Sequence, residues 1–418
     1  MVLKVAIIGT GISGMAAAYM LSPRYQVAVY EKNDKPGGHT RTLTIQYGDK
    51  QISVDTGFIV YNEVNYPELK GLFKHLGVTV QKSEMSFGFT TDHGKFEWGA
   101  RTLSSVFGQR SNLVNPRFYR MLLDVYRFYK HAPEYLDTAG EMSLGELLDS
   151  YKMGAEFRQR FILPMGAAIW SCPIETMLDF PAKTFVRFFK NHGLLSFTGQ
   201  HQWYTVTGGS QEYLKKLIKP FESSIRLNSA VEEVRQEGAQ VAVISQGKKE
   251  LYDHVVLAAH ADESLKMLID ATAQEKEILG AFGYMKNIAY LHRDVNVMPK
   301  RKSCWSSWVY NTIREDTIDK LSLSYWMNSL QNIDNDYPLF VTLNPSQPID
   351  SQSVFNQHEF MHPVFTTEAI AAQAKIPLIQ GKRNIWFCGA YQRYGFHEDG
   401  LMSAVAVAKE LGVSAPWH

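Results

Sequence analysis

The sequence predicts an α/β fold, in which a second domain of mixed helices and strands is inserted into a parallel-stranded domain. The first observation is an apolar strand at 5–8 that runs into a glycine-rich turn at 9–14 and then into a helix. The second is another apolar strand at 27–30. The third is that segments of the same type return only late in the chain, at 255–259 and 384–390. Strands this far apart in sequence fit one sheet interrupted by insertions.

The turn at 9–14 has the spacing Gly9-x-Gly11-x-x-Gly14. Glycines at these positions allow a tight turn and the close approach of a pyrophosphate, which rests on the N-terminus of the following helix. Glu31 ends the next strand, where a carboxylate can accept a hydrogen bond from a ribose hydroxyl. Strand, helix, second strand and acidic residue in this order predict a dinucleotide site rather than an ordinary strand–turn–helix.

A second glycine turn, Gly37-Gly38-His39-Thr40-Arg41, follows almost at once and indicates which dinucleotide is bound. A nicotinamide-dependent dehydrogenase does not need it. An extended FAD does, because its pyrophosphate and flavin must pass close to backbone. Arg41 could give the phosphates a fixed positive charge. We therefore predict FAD, and the alternative is an ordinary Pro-Gly surface turn.

The next elements lead from this turn toward the inserted domain. Segments 42–46 and 51–54 flank a Gly-Asp turn and predict a hairpin. Thr56, Gly57 and Phe58 come directly after it. A glycine directly after a strand suggests that backbone passes close to a ligand, here the flavin ring.

Helical spacing dominates the insertion. A helix is predicted over 65–76, with Gly77 as its stop, and further helices over 115–190, where Ser143 and Glu146 have the spacing of a capping box. Strands are predicted near 231–234, 241–244 and 255–259, and in a second excursion near 288–292, 323–326 and 339–343. The helix that contains Phe180–Lys190 combines aromatic residues with spaced cations. We favour a core-facing amphipathic helix there, and the alternative is a helix lying on a membrane surface.

The 418 residues are too many for one simple core, so two domains are expected. We assign 1–64, 200–268 and 381–418 to a discontinuous FAD-binding domain. The substrate-binding domain is then formed by 65–199 and 269–380.

Composition narrows the class of protein. A formal net charge of +1 gives no general attraction to nucleic acid, and we predict no nucleic-acid partner. Three widely separated cysteines without metal-ligand spacing fit a reducing cytoplasm and no metal site. No apolar run is long enough to span a bilayer. We therefore expect a cytoplasmic protein and leave open a peripheral contact with the inner face of the membrane.

These motifs resemble the flavin amine oxidase superfamily, which includes monoamine oxidase, protoporphyrinogen oxidase and carotenoid desaturases. The resemblance is specific at the N-terminal turns and again from Phe387-Cys-Gly389 to Gly400. It implies a Rossmann-like FAD-binding domain of the glutathione reductase type. A closer resemblance, over nearly the whole chain, is to predicted NAD/FAD-binding proteins found beside cyclopropane fatty acid synthases. Its motifs are 55–62, 164–171, 298–299, 325–331, 343–345, 362–365 and 395–400.

The resemblance implies where the cofactor lies. Ile12 and Ser13 would lie under the pyrophosphate, Val231 would meet the adenine through its backbone, and Gly389 would approach the ribityl chain. Together with the motifs above, it predicts these FAD-binding residues: Gly9, Gly11, Ile12, Ser13, Gly14, Glu31, Lys32, Gly38, His39, Thr40, Arg41, Thr56, Gly57, Phe58, Val231, Gly389, Gly400 and Leu401. His39 departs from the family, which has arginine at this position.

His397, just before the final helix, is the candidate catalytic residue, because an imidazole can move a proton near neutral pH. Its alternative role is to cap the helix or bind a backbone carbonyl. Glu398 and Asp399 could form a paired acid site, but acidic residues in a first helical turn are usually caps. Tyr391, Tyr394, Trp305 and Trp326 are candidates to line a pocket, with a place in the core as the alternative.

Three functions remain open. The first is an FAD-dependent oxidoreductase that desaturates a hydrophobic substrate, such as a methyl-branched or unsaturated acyl chain of a lipid. The second is an amine oxidase, but the chain shows neither a clear counterpart of the lysine found near the flavin in many amine oxidases nor a pair of tyrosines to cage an amine. The third is a non-catalytic flavoprotein that partners a lipid methyltransferase.

Overall fold

The computed structural model describes residues 2–170, 172–315 and 318–418. The strands, in chain order, are β1 (Lys4–Ile8), β2 (Gln26–Tyr30), β3 (Thr42–Tyr47), β4 (Lys50–Asp55), β5 (Tyr61–Asn62), β6 (Val80–Ser83), β7 (Phe87–Thr91), β8 (Phe96–Gly99), β9 (Trp203–Val206), β10 (Ile225–Arg226), β11 (Val231–Glu237), β12 (Gln240–Ser245), β13 (Lys248–Tyr252), β14 (His254–Leu257), β15 (Gly283–His292), β16 (Trp308–Glu315), β17 (Ile318–Trp326), β18 (Phe340–Leu343), β19 (Val354–Val364) and β20 (Ile385–Phe387).

The α-helices, in chain order, are α1 (Ile12–Leu21), α2 (Pro67–His75), α3 (Leu103–Val106), α4 (Pro116–His131), α5 (Leu144–Ser150), α6 (Ala155–Phe157), α7 (Leu163–Trp170), α8 (Ile174–Leu178), α9 (Ala182–Asn191), α10 (Gln211–Ile218), α11 (Ala261–Met267), α12 (Ala273–Gly280), α13 (Met327–Gln331), α14 (Thr367–Gln373) and α15 (His397–Glu410). None of the helices in the described part of the chain is long and apolar enough to cross a bilayer.

A five-stranded parallel sheet in the order β10-β2-β1-β14-β20 forms the first domain. Its strands are apolar on both faces, as expected for a sheet covered on both sides. Along β1, Val5 and Ile7 pack against α1 and α15, whereas Ala6 and Ile8 face the side covered by the antiparallel β11-β12-β13 meander. The parallel sheet places the end of β1, and therefore the glycine turn, at its carboxyl edge.

The second domain is built on a mixed seven-stranded sheet in the order β19-β15-β18-β17-β16-β7-β8. All its neighbouring strands are antiparallel except β7 and β16. Helices α4 to α9 cover it, and their aromatic side chains form the largest core cluster of the described residues. The two sheets confirm the predicted α/β fold with an inserted α+β domain.

The strands of the parallel sheet all lie within 1–64, 200–268 and 381–418, and those of the mixed sheet all lie within 65–199 and 269–380. One small sheet joins the two parts, because β9 pairs with both β5 and β6. The domain limits themselves stay a prediction.

The predictions for single helices, turns and caps agree with the structure. The hairpin forms as β3 and β4, and α2 ends before Gly77, whose φ of +61° favours a glycine. Ser143 and Glu146 make both hydrogen bonds of a capping box. Helix α9 faces the core, because Phe185, Phe188 and Phe189 are buried. The cations Arg187 and Lys190 are exposed.

Candidate functional site

One cavity of about 1550 Å³ runs between the two domains. Typical small-molecule sites measure about 300–1000 Å³, so this one has room for a long cofactor and a substrate together. It begins at the glycine turn after β1, passes the segments 38–41 and 57–60, and ends among α7, α9 and the loop before β9. The predicted cofactor site and the inserted domain therefore share one space.

The glycine turn is tight on one side and open on the other. A Cβ on Gly9, whose φ is +105°, would lie 2.8 Å from the carbonyl oxygen of Ala258, and a Cβ on Gly14 would lie 2.0 Å from that of Gly9. A Cβ on Gly11 would meet nothing within 4 Å. The open side lies at the N-terminus of α1, where unpaired backbone N–H groups and the helix dipole favour a phosphate. This opening fits the pyrophosphate of FAD.

Glu31 is buried in the cavity wall. One of its carboxylate oxygens accepts hydrogen bonds from the backbone N–H (3.2 Å) and the hydroxyl of Thr10, and the other accepts from the backbone (2.9 Å) and side chain (2.8 Å) of Asn33. These bonds hold the carboxylate in place. Contact with a ribose hydroxyl stays a prediction, and it would replace one of these four donors. Lys32, which lines the same end, pairs with Glu263 at 2.6 Å.

Two backbone segments meet in the middle of the cavity. The N–H of Phe58 donates to the carbonyl of His39 (2.7 Å), and a Cβ on Gly57 would lie 2.2 Å from the same oxygen. The guanidinium of Arg41 donates to Thr56 at 2.8 Å. Only a glycine at position 57 permits this approach. The sequence suggested that Gly57 makes room for a ligand, whereas the structure shows that it makes room for the backbone of His39.

His39 lies at this crossing, and its Nε2 is buried without a hydrogen-bond partner among the described residues. Its ring stacks on Phe360 with the centroids 4.8 Å apart, and His362 lies 5.2 Å away. Burial holds the pKa of His39 well below its usual range, and burial also lowers the pKa of His362 to about 4. A neutral imidazole with a free nitrogen fits a polar atom of a flat ligand such as a flavin.

The partners of His39 come from β19, which sequence reasoning did not connect with the site. His358, Phe360 and His362 alternate along this strand and all line the cavity. Residues two apart on a strand share a face. The alternation of 358, 360 and 362 is a local signal that could have placed them together, but not against His39.

The structure separates the predicted residues into two groups. Those that line the cavity are Gly9, Gly11, Ile12, Ser13, Glu31, Lys32, Gly38, His39, Arg41, Gly57, Phe58, Val231, Gly389 and His397. Gly14, Thr40, Thr56, Gly400 and Leu401 lie behind its wall. Gly400 lets α15 approach α1, because a Cβ there would lie 2.8 Å from Oγ of Ser13. Leu401 is fully buried in the core.

His397 begins α15 and is held from three sides. Its Nε2 lies 2.6 Å from the phenol oxygen of Tyr213 and 3.3 Å from Oγ1 of Thr40, and its ring stacks on Phe58 at 4.0 Å. Burial lowers its pKa to about 3, so the ring is neutral at physiological pH. A role in proton transfer stays a prediction. In the structure, the imidazole packs flat against Phe58 and so limits where that ring can lie.

Glu398 and Asp399 do not form a paired acid site. The carboxylate of Glu398 accepts from the backbone N–H groups of Glu68 (2.8 Å) and Leu69 (2.9 Å), and so caps α2. Asp399 accepts from the backbone of Phe396 at 2.9 Å and caps its own helix. Burial raises the pKa of Glu398 to about 7 and that of Asp399 to about 6. The capping interpretation fits both residues.

The far half of the cavity is mostly apolar and aromatic, and Ser86, His192 and Gln200 are polar residues in its lining. Among the described residues, no Asp, Glu, Lys or Arg lines this half. Its lining side chains include Met85, Phe87, Trp98, Tyr129, Phe161, Met165, Ile169, Trp170, Phe188, Leu194, Trp203, Trp308, Tyr325, Tyr394 and Phe396.

Tyr391 and Tyr394 line the cavity as proposed, whereas Trp305 and Trp326 do not. They pack edge to face at 5.2 Å in a separate small cluster. Ser171, in the motif at 164–171, lies outside the described residues.

Comparison with known proteins assigns this arrangement to a family. The sequence model of a family described as flavin containing amine oxidoreductase matches residues 12–291. No curated protein sequence matches the chain.

Solved structures share the whole fold at low identity. A CLA-producing fatty acid isomerase from P. acnes is 14% identical, with a TM-score of 0.68 over 97% of this chain and 98% of the other. Cyclohexylamine oxidase from Brevibacterium oxydans IH-35A is 14% identical, with a TM-score of 0.70 over 99% and 100%. Putrescine oxidase is 14% identical, with a TM-score of 0.69 over 98% and 99%. At this identity the similarity concerns the fold.

Proposed function

The chain belongs to the flavin-containing amine oxidoreductase family and is a flavin-dependent oxidoreductase that uses FAD, and from this premise we propose that it desaturates a hydrophobic acyl chain. The substrate we propose is a methyl-branched or unsaturated fatty acyl chain of a lipid. The reaction removes a hydride and a proton from neighbouring carbons and leaves a double bond. FAD, when bound, accepts the two electrons.

The uncharged far half of the cavity is the observation that carries this proposal. An acyl chain gains about 0.8 kcal/mol for each CH₂ group moved from water into such a lining. An ion would lose its hydration there and find no opposite charge among the described residues. A long apolar substrate therefore matches the lining better than an ammonium or a carboxylate does.

Two indole groups in this half could orient the polar end of a lipid. The Nε1 atoms of Trp170 and Trp308 are buried without a hydrogen-bond partner among the described residues, and both residues line the cavity. An ester carbonyl would accept from such a donor without bringing in a charge. The same two N–H donors would not compensate the hydration that an ionised headgroup loses on burial.

The remaining roles follow the geometry of the chain. The turn at Gly11 and the N-terminus of α1 would hold the phosphates, and neutral His39 would donate to or accept from the ring system. Phe58, fixed by His397, would separate the flavin end from the core. His397 is the residue we propose for moving a proton, because it is the titratable group at the start of α15 that lines the cavity.

The alternative is oxidation of an amine. Among the solved structures of the same fold, one is a fatty acid isomerase and others are amine oxidases. Aromatic rings can hold an ammonium by cation–π attraction, so Trp203, Tyr394 and Phe396 could receive an amine. The absence of a carboxylate among the described lining residues of that half favours the acyl chain.

Comparative lipid analysis of cells with and without this chain tests the proposal directly. We expect an acyl species with one more double bond only when the chain is present. With purified FAD-loaded protein under anaerobic conditions, a methyl-branched or cyclopropane phospholipid should bleach the flavin absorption.

Bleaching by amines alone would overturn the acyl substrate in favour of amine oxidation. If neither substrate class bleaches the flavin and a lipid methyltransferase co-purifies with the chain, the function is that of a non-catalytic flavoprotein partner of the methyltransferase.

A further inference from the structure

Helix α4 carries an apolar face that stays about half exposed, although the ring of Tyr119 lies 6.1 Å from that of Phe107 and its hydroxyl donates to the carbonyl of Leu113. Tyr119, Leu123 and Tyr126 are 47%, 52% and 54% exposed. They stand four and three residues apart, so they share one side of the helix and form a stripe about 10 Å long. Phe118, Val125 and Phe128 of the same helix are buried, so the inner side already serves the core. We call Tyr119, Leu123 and Tyr126 the outer stripe.

The segment that carries the outer stripe is strongly basic. Residues 101–131 contain one acidic residue, Asp124, and six basic residues. The basic residues are Arg101, Arg110, Arg117, Arg120, Arg127 and Lys130. The formal net charge of this segment is +5, whereas that of the whole chain is +1. Asp124 is buried and bound to Arg120 and Arg127. Arg101 pairs with Glu84 at 2.9 Å, outside this segment. Arg110, Arg117 and Lys130 are therefore the cations of the segment without an ion pair among the described residues, and they give this part of the surface its positive charge.

The helix that carries the outer stripe also contributes to the apolar half of the cavity. Tyr129 follows Tyr126 by three residues and lines the cavity. Its ring lies 4.9 Å from that of Phe197, which is 64% exposed. The aromatic lining therefore reaches the surface at Phe197, beside the helix that carries the outer stripe.

We propose that the outer stripe docks this protein on an anionic lipid bilayer, with α4 in the plane of the interface. Aromatic and aliphatic side chains bordered by Arg and Lys are the composition that binds such a surface, where apolar burial and attraction to anionic headgroups add together. The inference goes beyond the proposed reaction, because it concerns where the enzyme meets its substrate. It also places the contact on α4 rather than on α9, whose phenylalanines are buried.

Vesicle sedimentation with the full FAD-loaded chain tests this docking without any substrate. We expect binding to vesicles of equimolar phosphatidylcholine and phosphatidylglycerol, and little to vesicles of phosphatidylcholine alone. The variant Tyr119→Ser, Leu123→Ser, Tyr126→Ser should lose binding by at least about tenfold. The variant Arg110→Gln, Arg117→Gln, Lys130→Gln should lose at least about tenfold as well, because each cation near an anionic surface contributes several-fold.

A matched control replaces three equally exposed apolar residues elsewhere, as Ile269→Ser, Val295→Ser and Leu378→Ser. This variant should bind vesicles as the unmodified chain does, and every variant should keep its flavin absorption. Equal binding of the outer-stripe variant and the control would overturn the proposal. So would a concentration-dependent dimer in sedimentation velocity that the outer-stripe variant abolishes, because the stripe would then join two copies of this chain. Neither result bears on the proposed reaction, which bleaching with detergent-dispersed lipid measures separately.

Discussion

The phenol oxygen of Tyr213 lies 2.6 Å from Nε2 of His397, so a helix that follows β9 fixes the imidazole that begins the last helix of the chain. Thr40 joins both groups, at 2.5 Å from Tyr213 and 3.3 Å from His397. Three segments far apart in sequence thereby meet beside Phe58. This junction brings the second glycine turn to the start of α15.

Replacement of His397 tests its proposed role. Because burial lowers its pKa to about 3, His397 stays neutral between pH 5 and 8, and the profile of kcat against pH should show no inflection from this group. His397→Ala should lower kcat by about a hundredfold, as loss of a proton-transfer group does, and leave the flavin content unchanged. Tyr213→Phe should have a smaller effect in the same direction. Unchanged kcat in His397→Ala would assign the residue to positioning Phe58 only.

Two alanine substitutions separate folding from cofactor binding at the first turn. In Gly14→Ala the new Cβ would lie 2.0 Å from the carbonyl oxygen of Gly9, so we expect a loss of about 1–3 kcal/mol in the free energy of unfolding. In Gly11→Ala it would enter open space, so the apoprotein should melt as before while FAD affinity falls at least about tenfold. Thermal melting and flavin absorption measure the two effects. Full FAD binding by Gly11→Ala would place the phosphates elsewhere.

Asp55 should tie the hairpin both to the start of α10 and, through Gln331 of α13, to the second domain. Its carboxylate accepts from the backbone of Ser210 (2.8 Å), from Thr42 (2.5 Å) and from Gln331 (2.9 Å). Asp55→Ala leaves these buried donors unpaired, and we expect a loss of about 2–4 kcal/mol in the free energy of unfolding by urea. The exposed Asp336→Ala is the control, and an equal effect of both would contradict the prediction.

The uncharged half of the cavity should reject a carboxylate. Met165 and Ile169 are the half-buried positions of α7 that line it, one helical turn apart. Ile169→Glu should raise KM for an acyl substrate at least about tenfold, because a charge there lacks a partner and draws in water. Ile169→Val keeps the lining apolar and should change KM less than about threefold. Improved turnover of amines by Ile169→Glu would support the amine oxidase alternative.

His292 should make stability depend on pH. It is fully buried in β15, its Nδ1 accepts from the backbone of Asp294 (3.1 Å), and its Nε2 donates to Thr342 (2.8 Å). Burial lowers its pKa to about 4. The pKa of histidine in the unfolded chain is about 6.5, so between pH 6.5 and pH 4 the unfolded chain binds a proton at His292 and the folded chain does not. The contribution of His292 to the free energy of unfolding is therefore complete above about pH 6.5 and is lost as the pH falls toward 4.

Urea unfolding at pH 7 and pH 4.5 measures the effect. His292→Gln should narrow the difference in the free energy of unfolding between the two pH values by up to about 3 kcal/mol. The half-exposed His131→Gln is the matched control. If the two variants behave alike, His292 does not carry the dependence.

Local sequence was sufficient for the elements and for part of the site. The hairpin, the stop at Gly77 and the capping box at Ser143 depend on interactions within a few residues, and sequence pattern reports such interactions well. The position of Glu398 shows the limit. It lies in the first turn of its own helix, as expected, but its carboxylate caps α2, whose residues Glu68 and Leu69 lie far back in the chain. A backbone donor can be capped by any carboxylate that the fold brings near it.

The sequence by itself determined the cofactor class, because the steric demands of a pyrophosphate are met by glycines at fixed spacing within one strand–turn–helix. Only the tertiary structure decided which predicted residues face the cavity and which, such as Gly400 and Leu401, support it from behind. It also brought His39 against Phe360 and made one half of the cavity uncharged. Those properties depend on packing between segments hundreds of residues apart, and the glycine fingerprint contains no information about that packing.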